Sequence, residues 1–200
     1  GFAFHIAGDQ HLATVIRYGI DQWNDGGWAF CVPSIVNFYP RTWDPTEPPH
    51  KAVPTVLPRT GEYRDGFANP YTILAYANPD SARANKWGGE WGAKADGHGL
   101  VRFNVRTRQI TVECWPRGVD VTSPQAEQYP GWPITVSQLD NYARAPAAWL
   151  PTLTVRGLTN PVVQVSDPGG EVIYSLRIKG NEFSPPVFKP GRYQIRIGEP

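Results

Sequence analysis

The chain contains no methionine and only two cysteines, and charged residues make up just 18% of it. Without methionine, the expectation is that it does not begin at a natural start codon. It opens on a lone Gly1 and enters an apolar run at once, with no signal- or transit-peptide pattern. The expectation is a C-terminal piece of a longer protein, with Gly1 left by cleavage of a tag. Cys31 and Cys114 lie far apart, each inside an apolar run, and no Cys-x-x-Cys exists. Buried free thiols are therefore expected, not a redox site. The formal net charge is +1 and there is no basic run, so there is no electrostatic case for nucleic acid or an anionic membrane. Heptads and apolar stretches of membrane-spanning length are absent too. So are a Ser-His-Asp arrangement, a phosphate-cradling Gly-Lys-Ser/Thr loop and a dinucleotide fingerprint.

What is present suits one domain plus a small module. At 200 residues and 40% hydrophobic content, a real core is affordable. Leu12, Val15, Ile16, Ile20 and Trp23 recur at helical spacing, which predicts an amphipathic helix over 12–24, stopped by Asn24-Asp25-Gly26-Gly27. Trp28 to Val36 is apolar without alternation and reads as a strand buried on both faces, ending near Pro33. Prolines 40, 45, 48, 49, 54, 58 and 70 break all periodicity. They predict a long loop ordered by Trp43 and Tyr63, of the uncommon kind that is often functional. Tyr71 to Ala77 is the next strand. Leu100 to Pro116 reads as a hairpin connected by Arg106-Thr107-Arg108, with Val101, Phe103 and Val105 on one face and Ile110, Val112 and Cys114 on one face. Residues 119–150 are irregular, with one helical turn expected between Ser137 and Ala143. From about Leu150, short alternating runs separated by turn clusters predict a small antiparallel β-module, with Tyr193, Ile195 and Ile197 inward. The expected domains are thus 1–149 and 150–200.

Gly8-Asp9-Gln10-His11 follows the apolar run Phe2–Ala7, and the order reads as strand, tight turn, helix. A carboxylate and an imidazole two residues apart supply two ligands to a divalent metal, where a working site needs three or more. By the bland alternative this is a turn that happens to contain histidine. Its place just beyond a strand end, where open α/β sheets hold ligands, strengthens the metal reading. His98, in Asp96-Gly97-His98-Gly99, is the next candidate to face a site. His5 reads as a sheet histidine and His50 as a solvated loop residue. Trp43, Trp87, Trp91 and Trp132 could be sugar platforms, but anchors for Pro-rich loops are the favoured reading.

Phe4-His5-Ile6-Ala7-Gly8-Asp9-Gln10-His11-Leu12 and Ala29-Phe30-Cys31-Val32-Pro33-Ser34-Ile35-Val36-Asn37-Phe38-Tyr39-Pro40-Arg41 resemble the C-terminal part of PhoD-like (alkaline phosphatase D-like) metallophosphatases, within the calcineurin-like metallophosphoesterase superfamily. The segments Gly97-His98-Gly99-Leu100-Val101-Arg102-Phe103 and Glu113-Cys114-Trp115-Pro116-Arg117 fit the same group, so the resemblance spans about 2–117. It implies an α+β, mostly β architecture: the C-terminal edge of a metallophosphatase β-sandwich with one flanking helix, followed by the small β-module. It also implies that Asp9 and His11 are metal-ligand positions, Asp9 standing where the superfamily more often has histidine. The cofactor would be a divalent or mixed-valence metal pair (iron, calcium, zinc or manganese) in the parent protein, hydrolysing phosphate mono- or diesters. Secretion or periplasmic export follows from the same resemblance. The earlier motifs Asp-x-His, Gly-Asp-x-x-Asp and Gly-Asn-His-Asp/Glu do not precede the tetrad here, so no catalytic residue is assigned. The chain alone is expected to be inactive, without a tightly bound metal pair, and open to self-association through an uncovered sheet face. The rival expectations are a non-catalytic Trp-rich module binding carbohydrate or protein, and a structural accessory region.

Overall fold

A computed structural model of the chain describes residues 3–36, 38–79, 93–142 and 144–198. The chain is mostly β, with 39% strand against 3% helix, arranged in several small sheets. It divides into two compact units, Gly1–Ala143 and Arg144–Pro200.

The first unit holds β1 (His5–Ala7), β2 (Ala13–Tyr18), β3 (Trp28–Cys31), β4 (Gly61–Arg64) and β5 (Pro70–Ala77) in one five-stranded sheet of order β1-β3-β2-β5-β4. Strand β1 runs parallel to β3, and the other pairings are antiparallel. A second sheet, β6 (Gly97–Asn104), β7 (Gln109–Pro116) and β8 (Ile134–Ser137), leads into a 3₁₀ turn at Gln138–Tyr142. The two sheets bury a shared core, with Ala13, Val15, Phe30 and Ala75 from one and Ile110, Val112, Cys114 and Val136 from the other. Alternation in β7 aims its apolar residues inward, as its pattern predicts. The sheets approach closely at Gly99, where an added Cβ would lie 2.5 Å from the Phe30 ring.

The opposite face of the five-stranded sheet is covered by the Pro-rich loop. Ile73, Tyr63 and Tyr76 are buried there, with Ile16, Trp43 and Tyr71 packed against them. Trp43 is the loop's anchor. Its indole N–H donates to the Arg59 carbonyl at 3.0 Å, and its backbone exchanges hydrogen bonds with the Asn78 carboxamide. Its ring meets Tyr63 edge-on at 5.1 Å. Cover on both faces explains why all four residues of β3 are buried.

The helix expected over 12–24 is not formed, and among the described residues the helical content comes down to short turns. Ala13–Tyr18 is instead a central strand, paired on both sides by β3 and β5. The β-branched run Thr14-Val15-Ile16 suits a strand, whose alternation puts Val15 in one core and Ile16 against the other, with a register irregularity between them. Beyond it, the Asp25 carboxylate accepts the N–H groups of Ile20, Asp21 and Gln22, tying the rest of the segment into a loop.

The second unit is a small antiparallel module. Strands β9 (Ala148–Trp149), β10 (Leu153–Thr154), β11 (Val162–Ser166), β12 (Val172–Arg177), β13 (Glu182–Phe183), β14 (Pro186–Val187) and β15 (Gln194–Gly198) form three small sheets. Val155, Val163, Val165 and Ile178 make its core, with Tyr193 and Ile195 against it. Ile197, expected inward, is partly exposed near the end of the edge strand β15.

Candidate metal-ligand turn

Strand β1 ends at Ala7, whose carbonyl accepts the Val32 N–H at 2.8 Å. The chain then passes the end of β3 to reach β2, with residues 8–12 as its whole connection. Asp9 and His11 both adopt left-handed backbone conformations, with φ of 64° and 58°. Asp and His tolerate this region better than most residues, yet two such positions within three residues need outside support. The Arg41 N–H donates to the His11 carbonyl at 3.3 Å, and the Gln10 N–H is aimed at the Cys31 thiol. On the side chain, His11 Nδ1 lies 3.0 Å from the Tyr39 carbonyl.

That last contact fixes the imidazole's chemistry. A carbonyl only accepts, so Nδ1 carries a hydrogen, and the ring is turned so that Nε2 faces Asp9. Nε2 lies 3.6 Å from the Asp9 carboxylate, which is fully exposed while the His11 side chain is mostly covered. The imidazole and the carboxylate thus face each other, two side chains of the types that bind a divalent metal. An imidazole whose far N–H is held by a carbonyl is the usual disposition of a metal-ligating histidine. Ligands about 2.0–2.2 Å from a tetrahedral ion stand roughly 3.4 Å apart, close to the separation here.

Among the described residues no group of three or more His, Cys, Asp and Glu is placed to hold a metal ion. The turn by itself therefore does not meet the requirement for a complete centre. His98 is exposed on β6, across from Trp115, and among the described residues no hydrogen bond or ion pair joins it to Asp9 or His11. His5 is exposed on β1, its ring 6.0 Å from Tyr18. His50 is more than a solvated residue: it stacks on Trp23 at 4.3 Å and bonds Glu62 Oε2 at 2.9 Å. Both cysteines are free and buried, and burial pushes both thiols up, with Cys31 adding to the effect at Cys114. Trp43 and Trp132 serve packing, the latter donating to the Tyr76 carbonyl, while Trp87 and Trp91 lie outside the described residues.

Two carboxylates were not singled out by the sequence. Glu113 is nearly buried and accepts the Arg102 Nε–H at 2.5 Å and the Trp115 indole N–H at 2.8 Å. Burial opposes its ionisation, but those hydrogen bonds outweigh it and hold the carboxyl below its usual range. Asp96 pairs with Arg117 at 2.7 Å beneath the start of the hairpin. The only sequence signal for Glu113 is an acid inside an otherwise apolar strand.

No protein-family model, curated protein or solved structure matches this chain.

Proposed function

We propose that this chain is the C-terminal portion of a metal-dependent phosphoesterase of the PhoD-like kind, contributing the last metal-ligand turn and inactive by itself. The observation that carries the reading is His11 Nε2 and the Asp9 carboxylate facing each other at 3.6 Å, with Nδ1 held by the Tyr39 carbonyl. A bound metal pair would supply Lewis acidity to the phosphoryl group and an activated water. What this chain contributes is orientation: the left-handed turn and the loop at 38–41 hold both donors at one strand end.

The open side of the sandwich supports the same reading. Strands β1 and β6 are both edge strands, and they lie together, since Gly99 abuts Phe30 on β3 and Phe103 meets Phe4 at 5.9 Å. Ile6, Phe103 and Val105 are exposed along that side. Among the described residues no strand pairs with the outer side of β1 or β6, and edges rimmed by apolar residues suit a sandwich continued by further strands, or a site of self-association.

The test is hydrolysis of p-nitrophenyl phosphate and bis-p-nitrophenyl phosphate with added divalent metal. The chain alone should be inactive. A longer polypeptide carrying the missing motifs should turn over, and should lose at least a hundred-fold in kcat on His11→Ala. Robust turnover by this chain that survives both Asp9→Ala and His11→Ala contradicts the proposal.

A further inference from the structure

A cavity of about 290 Å³ opens where Phe4, the tip of the β6–β7 hairpin and the 3₁₀ turn at Gln138–Tyr142 meet. We infer that it binds a small planar aromatic carboxylate, whose ring lies against Phe4, Phe103 and Ile110 and whose carboxylate is held by Arg108 and Asn141. The site shares no residue with the Asp9–His11 turn, and its occupancy does not depend on the phosphoesterase reading.

The carboxamides that line the cavity use their oxygens elsewhere and keep their donors. A backbone N–H only donates, so it is the Asn141 oxygen that accepts from the Trp28 N–H at 3.4 Å. Asn141 is only 3% exposed, and its N–H2 group has no hydrogen-bond partner among the described residues. Asn104 is set the same way, its oxygen accepting the N–H groups of Arg106 and Thr107 at 3.1 and 3.0 Å. Gln138 Oε1 accepts from Arg108 Nη1 at 3.2 Å. These side chains therefore offer the cavity amide and guanidinium N–H groups, and among the described residues Arg108 is the one charged residue that lines it. A negatively charged group that only accepts satisfies such a set, and a carboxylate matches the planar guanidinium fork. Arg108 is held in place for this. Its backbone turns through a φ of 60°, its carbonyl accepts the Gln138 N–H at 2.8 Å, and so main chain and side chain both tie it to the 3₁₀ turn.

The apolar walls define the rest of the ligand. Phe4 and Phe103 stand 5.9 Å apart with their rings at 88°, a corner that a flat ring fills face against one and edge against the other. Phe103 is 58% exposed, so a ring seated there covers apolar surface that now faces water. The volume lies at the lower end for small-ligand sites, which suits a ligand of one or two rings.

Calorimetric titration of cinnamate into the full chain tests this, with cinnamamide as the uncharged counterpart. Saturable one-to-one binding of cinnamate is expected, tighter than that of cinnamamide by about ten-fold or more. Arg108→Gln should weaken cinnamate by about ten-fold or more. Asn141→Asp keeps the oxygen that accepts from Trp28 but replaces the donor with a second acceptor, so it should weaken cinnamate by a similar factor. Arg106→Gln, on the same turn but outside the lining of the cavity, should leave the affinity unchanged. Arg108 is exposed, so Arg108→Gln decides the matter even where Asn141→Asp does not fold. Absence of saturable binding at millimolar cinnamate would overturn the site. Equal affinity for cinnamamide, or an equal loss in Arg106→Gln and Arg108→Gln, would overturn the recognition of a carboxylate by Arg108 and the assignment with it.

Discussion

His11 is oriented by a bond on the far side of its ring. The Tyr39 carbonyl holds Nδ1, and the ring so placed turns Nε2 toward Asp9. The donor pair could be read in Gly8-Asp9-Gln10-His11. The orienting carbonyl could not, because a backbone partner from 28 residues away leaves no side-chain signature. Glu113 makes a second residue-scale prediction. Its folded carboxyl titrates below its ordinary range, so its stabilisation is complete at neutral pH. It declines as the pH falls beneath about 4.3 and is gone once the folded carboxyl itself protonates. Glu113→Gln should cost about 1–3 kcal/mol at pH 7 and much less at pH 3. Urea unfolding at the two pH values checks this, and an equal loss at both would contradict it.

Among the elements, β2 shows how a helical spacing can mislead. Leu12, Val15, Ile16, Ile20 and Trp23 do fall on one helical face, but in a strand with a core on each side adjacent apolar residues point to opposite faces and both are covered, so no polar alternation is needed. Nothing in the local sequence announces that the Pro-rich loop will cover the second face. The anchoring role of Trp43 and Tyr63 was legible, since large aromatics are what such a loop has for packing, whereas β4 within it was hidden by its polar Glu62 and Arg64. β7 was legible because its hairpin partner β6 precedes it across a short turn and its apolar residues Ile110, Val112 and Cys114 alternate onto one buried face. Two substitutions test these elements. Trp43→Ala should destabilise the first unit by about 3 kcal/mol and open the loop to limited proteolysis between residues 44 and 60. Gly99→Ala should cost about 1–3 kcal/mol, because its methyl would meet the Phe30 ring between two packed sheets. Both are read by urea denaturation, and a wild-type midpoint in either would contradict the packing described.

At the scale of the whole molecule, the resemblance implied a mostly β chain and the apolar runs around Cys31 and Cys114 predicted buried thiols; the chain is mostly β with both cysteines free and buried. The open side along β1 and β6 was not legible, because exposure of Phe103 and Val105 depends on where the sheets stop and not on their own alternation. That side should bind a hydrophobic dye, and charges placed there by Phe103→Lys and Val105→Glu should suppress the dye signal without lowering stability by more than about 1 kcal/mol. The account as a whole turns on whether residues 9 and 11 grip a metal. Calorimetric titration of zinc into a longer polypeptide carrying the missing motifs, and into its Asp9→Ala and His11→Ala variants, measures this directly. Heat that saturates in the wild type and is lost in both variants is the predicted result, and equal heat in all three proteins would contradict it.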